Sequence, residues 1–168
     1  MAYNFNAEEI LRIAEQIERN GSDFYNRLAS KTADPEMNRF FLDLASMERE
    51  HEKVFSSMKS GLSDEERAPV IFDPEDESSQ YLQALAGVSV IDDKARDAFA
   101  LAEDASGAEG TSKALRAAID LEKDSVVFYL GLKELVPKHL GKDRVDGIIK
   151  EEMSHIRLLA GKLSSLKG

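Results

Sequence analysis

The sequence predicts an all-α protein: four long helices paired as two antiparallel hairpins, joined by a crossover of roughly fifty residues. Three observations lead there. Apolar residues recur at helical spacing in four segments, no segment offers a competing strand-like alternation, and the second half of the chain repeats the first at an offset of 104 residues.

The first helix is expected from about Ala7 to Ser30, with Ile10, Ile13, Ala14, Ile17, Phe24 and Leu28 as its apolar stripe. Asn6, with Glu9 three residues later, reads as a capping box at its start. The second opens at Asp34-Pro35-Glu36, an N-cap followed by proline at the first helical position. It carries Phe40, Phe41, Leu44, Met47, Val54, Phe55 and Met58 and stops at Gly61. Residues 62–79, with Pro69, Pro74 and the acids from Asp73 to Glu77, read as an extended, solvated connector. The Ala- and Leu-rich stretch from about Gln80 to Asp104 suggests one or two short helices, and Gly107 to Thr111 reads as a break. A third long helix is expected from about Ser112 to Val136, ending before Pro137. The fourth follows Gly141, with Asp143 as N-cap, and runs to about Leu166. One domain over 1–168 is expected, with hairpins at about 7–61 and 112–166 and the crossover at about 62–111.

Composition narrows the chemistry. The 168 residues include 22 Lys+Arg against 32 Asp+Glu, a formal net charge of −10, which argues against nucleic acid and against an anionic membrane surface. With no cysteine, thiolate catalysis, cysteine-ligated zinc, iron–sulfur clusters and disulfides are excluded from this chain. The N-terminus has no basic segment followed by an apolar run, and no stretch approaches the roughly 18–20 apolar residues of a membrane span, so a soluble, cytoplasmic protein is expected.

The repeat singles out particular residues. A shift of 104 lays Leu11, Arg12 and Ala14 on Leu115, Arg116 and Ala118, Glu18 on Glu122, and Phe24-Tyr25 on Phe128-Tyr129. Leu28 falls on Leu132, Glu48 on Glu152 and His51 on His155, without a gap. Chance identity is on the order of 6% per position, so the second hairpin reads as a copy of the first. Glu18 lies 16 residues before Asp34 at the turn, and Glu48 lies 14 after it. At 1.5 Å per residue both carboxylates stand at about the same height on facing helices. Glu122 and Glu152 are level in the same way around a turn near Lys138, and each Glu-x-x-His pair shares one helix face.

Four carboxylates and two imidazoles would thus converge inside the bundle. Two divalent ions would neutralise the four acids, which without metal would be very costly to bury charged. Carboxylates with one imidazole per ion suit iron or manganese better than calcium. Solvated glutamates and stray histidines are the bland alternative for any one of these residues, and the joint pattern outweighs it.

The segments IERNGSDFY (17–25), EREH (48–51), LEKDSVVFY (121–129) and EMSH (152–155) resemble those of the rubrerythrin family, and the resemblance extends through all four long helices. It implies a ferritin-like four-helix bundle in which Glu18, Glu48, His51, Glu122, Glu152 and His155 ligate two iron ions, with Glu48 and Glu152 closest to bridging. Zinc or manganese could substitute for iron. The family reduces hydrogen peroxide, or reacts with dioxygen, at a diferrous centre, which implies an oxidoreductase protecting against oxidative stress. The resemblance also implies a homodimer, with the long crossover permitting exchanged hairpins. Typical members carry a further carboxylate three residues after the third-helix Glu; here that position is Ser125, and its counterpart on the first helix is Gly21. Many also carry a cysteine-bound electron-transfer domain. This chain has no cysteine, so the donor would be external, rubredoxin-like or another reductase.

Tyr25 and Tyr129 lie seven residues beyond Glu18 and Glu122, on the same faces, placed either to donate to a ligand carboxylate or bound oxygen species or to serve as ordinary core tyrosines. Phe24 and Phe128 read as core residues. Glu50, Glu52 and Glu151 are expected on other faces, in solvent, with His139 in an exposed turn. Two alternatives to the oxidoreductase remain: a ferroxidase or iron-handling protein, and a non-redox bundle that a metal merely holds together. The ferroxidase reading is disfavoured in its cage-forming version, because no fifth helix is expected after the fourth.

Overall fold

The computed structural model describes residues 6–68, 96–98, 100, 101, 103 and 107–166. Within them, α1 (Ala7–Lys31) pairs with α2 (Pro35–Ser60), a one-turn α3 (Asp64–Arg67) follows, and α4 (Gly107–Leu135) pairs with α5 (Lys142–Ser165) across a 3₁₀ turn at Lys138–Leu140. No strand occurs among the described residues. No described helix is long and apolar enough to cross a membrane.

The first hairpin follows its sequence signals closely. Asn6 and Glu9 form the reciprocal capping box, the Asp34 carboxylate accepts from the Glu36 amide, and Pro35 opens α2. Elsewhere the elements depart from expectation. The segment read as an extended connector begins with helix α3, because Ser63 and Glu66 form a second capping box. Arg67 then ties that turn to α1 through Glu8 at 2.8 Å, while the Asn6 amide donates to the Arg67 carbonyl. Helix α4 starts at Gly107, five residues before its expected start. Gly107 takes a positive φ of 71°, Thr111 Oγ1 donates to the Gly107 carbonyl, and Glu109 pairs with Lys113 one turn on, so the stretch read as a break is helical. Asp143 is not the cap of α5. Gly141 holds that position at φ 90°, a left-handed conformation that favours glycine, and Asp143 falls in the first turn, where its charge suits the helix dipole. The acidic run Asp73–Glu77 and most of the short helices expected over 80–104 lie outside the described residues. Residues 96–98 are helical, and Ala98 is buried in the core.

Every long helix shows the same order of buried side chains: apolar, acidic, apolar. One hydrophobic cluster gathers Phe24, Leu28, Phe41, Leu44, Leu115 and Leu159 from all four helices. The other gathers Leu11, Phe55, Met58, Phe128, Leu132 and Ile148, again from all four. Each fully buried Leu or Phe contributes about 1.5–3 kcal/mol. Between the two half-cores lies a polar layer made by Glu18, Glu48, His51, Glu122, Glu152 and His155, each at most 4% exposed. Both hairpins build both half-cores, so neither hairpin has a complete core without the other.

The hairpins differ where their outer faces carry charge. Buried Glu15 pairs with Lys59 between α1 and α2. At the equivalent positions of the second hairpin stand Ile119 and Leu163, which pack on the hydrophobic core. Replacing an ion pair by well-packed apolar residues is often neutral or favourable, whereas removing one partner strands a buried charge. Lys59→Ala is therefore expected to lower stability by about 1–3 kcal/mol. Glu15→Ile combined with Lys59→Leu should match or exceed the wild type in chemical denaturation. A double variant as damaged as the single one would contradict this account.

Candidate metal centre

Helical spacing and the level turns bring the six predicted residues into one buried cluster. Glu18, Glu48, His51 and Glu152 form one donor group and Glu48, Glu122, Glu152 and His155 a second, with donor atoms in each group within 4.8 Å of one another. Glu48 and Glu152 belong to both groups. His51 Nδ1 lies 2.9 Å from Glu152 Oε1 and 3.4 Å from Glu18 Oε2. His155 Nδ1 lies 2.9 Å from Glu152 Oε2, 3.1 Å from Glu48 Oε1 and 3.5 Å from Glu122 Oε1. The two rings stand 5.9 Å apart, 22° from parallel.

These distances are short, yet the atoms do not hydrogen-bond to one another. Glu18 Oε2, Glu48 Oε1, both Glu152 oxygens and the Nδ1 atoms of both histidines are buried without a hydrogen-bond partner. Orphaned buried polar atoms are rare and costly. Here they converge on shared points rather than on each other, as the ligands of two cations do. Oxygen-rich sets with one imidazole each fit a pair of first-row divalent ions.

The electrostatics carry the same message. Burial, then the charge of Glu152, raises the Glu122 carboxyl to about 8, against the opposing effect of His155. Burial raises Glu48 well above its ordinary value, with the charges of Glu122 and Glu18 adding to it. Glu18 is raised by burial and by Glu152, against His51. Burial would push both imidazoles down, but the surrounding carboxylates overcome it and lift each to about 12: Glu152 and Glu18 for His51, Glu122, Glu152 and Glu48 for His155. Burial thus favours the protonated forms of Glu18, Glu48 and Glu122, and a pair of cations would compete with those protons.

The tyrosines cross between hairpins. Tyr25 of α1 donates to Glu122 Oε1 of α4, and Tyr129 of α4 donates to Glu18 Oε1 of α1. Of the two readings that sequence spacing leaves open for these tyrosines, the structure shows the carboxylate partner, and it sits on the other hairpin. Each ring is fixed by aromatic neighbours, Tyr25 by Phe24 and Phe41, Tyr129 by Phe55 and Phe128. Phe24 and Phe128 are core residues, as expected.

Two positions show why no seventh carboxylate joins the cluster from α1 or α4. A Cβ on Gly21 would sit 3.2 Å from Glu48 Oε2, so the glycine makes room for that carboxylate. Ser125, the equivalent residue on α4, turns its hydroxyl back to the Leu121 carbonyl at 3.1 Å. Neither position offers a seventh carboxylate.

Of the three flanking acids, Glu50 pairs with Lys53 and Glu52 with Arg19 at the surface. Glu151 departs from expectation. Its side chain is 54% exposed, yet Glu151 Oε2 lies 2.8 Å from His51 Nε2, on the side of the ring opposite the cluster. A helical wheel turns Glu151 off the ligand face of α5, and that direction leads onto the neighbouring helix α2. His139 lies in the 3₁₀ turn, more than half exposed, with Nδ1 3.6 Å from Glu66.

The rubrerythrin family model matches residues 9–163. A crystal structure of a ferritin-like diiron-carboxylate protein from Thermotoga maritima superposes with a TM-score of 0.66 over 98% of each chain, at 22% identity, a likeness of fold. No curated protein matches the sequence. With the match spanning nearly its whole length and the Glu and Glu-x-x-His residues of both hairpins gathered in one buried layer, the chain belongs to the rubrerythrin family.

Proposed function

We propose that this protein is a di-iron oxidoreductase that reduces hydrogen peroxide or dioxygen with electrons from an external donor. The observation that carries the reading is the buried layer of six residues in two overlapping donor groups, five of them with buried oxygen or nitrogen atoms that have no hydrogen-bond partner. Glu18 and His51 would hold one ion and Glu122 and His155 the other, with Glu48 and Glu152, which belong to both donor groups, available to either. Two ferrous ions held there would supply two electrons together, the number that with two protons takes peroxide to two waters, and would act as Lewis acids.

The chain's own residues set the conditions for that chemistry. The Tyr25 and Tyr129 hydroxyls orient Glu122 and Glu18 and keep a proton at a defined oxygen beside the centre, since burial and the adjacent carboxylates raise both phenols well above 10. The half-cores above and below the layer exclude bulk water, which strengthens each of these electrostatic contacts. The chain holds no cysteine, so the reducing equivalents would enter from another molecule.

Stopped-flow absorbance in the near-UV tests the reading on protein loaded anaerobically with Fe²⁺. Peroxide is expected to oxidise the loaded protein much faster than free Fe²⁺, and Tyr25→Phe to slow that step by about 10–100-fold at equal iron content. Oxidation no faster than that of free Fe²⁺ would remove the claim. Repeated turnover of excess Fe²⁺ would make iron itself the substrate.

A further inference from the structure

We infer that the two halves of the metal centre are unequal, the His51 half binding a divalent ion more tightly than the His155 half, and that Glu151 is the positioning residue responsible. The inference rests on the proposal that these six residues hold two ions.

On their inner sides the two imidazoles are similarly placed, His155 having Glu48 Oε1 at 3.1 Å in addition. Each Nδ1 lies 2.9 Å from an oxygen of the shared Glu152, and each ring belongs to a Glu-x-x-His pair on equivalent helices. On their outer sides they differ. His51 Nε2 meets the Glu151 carboxylate at 2.8 Å, across the interface between hairpins. His155 Nε2 is fully buried and has no hydrogen-bond partner among the described residues. The repeat explains the difference: the position equivalent to Glu151 in the first hairpin is Met47, whose thioether is a poor acceptor.

An imidazole that donates its outer N–H to a carboxylate is held in one tautomer with its other nitrogen presented to the ion, and it becomes a better donor to it. His51 has that support. His155 must keep its outer N–H without an acceptor to present the same lone pair, an unpaired buried group that weakens it as a ligand. Glu151 is partly in solvent, which screens its charge, so the effect belongs near the lower end of the 10–100-fold typical of such supports.

Calorimetric and visible-absorbance titration of the full chain with Co²⁺ tests this, because it reads affinity without turnover. Two steps of one ion per chain are expected, separated by about tenfold or more. Glu151→Ala should weaken the tighter step by about tenfold and leave the weaker one in place, with Glu151→Gln in between. His155→Ala should remove the weaker step and keep the tighter one still sensitive to Glu151→Ala. Met47→Glu, which installs the missing acceptor, should strengthen the weaker step and draw the two together. Two steps weakened equally by Glu151→Ala, or a wild-type isotherm indifferent to it, would overturn the inference while leaving the di-metal reading intact. Failure of the wild type to bind Co²⁺ at all would overturn both.

Discussion

Removal of the metals is expected to reverse the way this protein's stability responds to pH. In the metal-free chain Glu122 is raised from an ordinary 4.5 to about 8, so the folded state holds a proton that the unfolded state releases over that range. The stability this proton gives is complete below 4.5 and disappears as pH rises through 8. His51 and His155, raised from 6.5 to about 12, act in the same direction: their contribution is complete below 6.5 and is lost as pH climbs towards 12. The windows overlap between pH 6.5 and 8. There each group whose protonation differs between the states costs up to about 1.4 kcal/mol per pH unit. Against a typical domain stability of roughly 5–15 kcal/mol the metal-free melting temperature should fall steeply. With metal bound, ionised carboxylates and neutral imidazoles are the ligand forms, binding expels the protons, and affinity grows with pH. Melting curves of chelator-stripped and metal-loaded protein from pH 5.5 to 8.5 should therefore diverge as pH rises. Parallel curves would show that the six residues do not exchange protons for cations.

The second large effect concerns Glu48, which belongs to both donor groups and whose carboxyl is raised well above its ordinary value by burial and by the charges of Glu122 and Glu18. Glu48→Gln should push stability and metal binding in opposite directions. In the metal-free protein it removes a buried carboxyl whose ionised form is disfavoured by burial and by neighbouring charges, so the variant should gain about 1–4 kcal/mol at pH 8 and less near pH 4.5. In the loaded protein, on the proposed ligand assignment, it removes an anionic donor from both groups at once, a loss expected to exceed the 10–100-fold typical of outer supports. Denaturation of both forms at the two pH values, with metal content measured by elemental analysis, checks the pair of outcomes. A metal-free variant no more stable than the wild type at pH 8 would mean that Glu48 costs nothing to bury.

Much of this architecture is legible in the sequence because its determinants are local or periodic. The caps at Asn6 and Asp34 need only neighbouring residues, and the level arrangement of Glu18, Glu48, Glu122 and Glu152 needs only the helical rise and the positions of two turns. What escapes is set by geometry between helices. That Tyr25 reaches Glu122, and Tyr129 Glu18, depends on how one hairpin lies on the other. Glu151 falls outside a reading that asks which way a residue faces on its own helix, because its partner His51 belongs to α2. The early start of α4 is a different kind of miss. Gly107 and Gly110 are poor helix residues, and the Thr111 and Glu109–Lys113 contacts that support the first turn exist only once it has formed. The Ser63–Glu66 box, by contrast, is a local signal that the prolines and acids following it outweigh in a compositional reading.

The repeat has a consequence for ancestry. One hairpin of this kind carries a Glu and a Glu-x-x-His, half of the donor set, so two identical hairpins facing each other would already complete the layer. Such a symmetric pair, however, could never set Glu151 against Met47, or the Glu15–Lys59 pair against Ile119 and Leu163, since every mutation would be made twice. Joining the copies in one polypeptide lifts that constraint, and those positions mark where the two halves have used their separate inheritance.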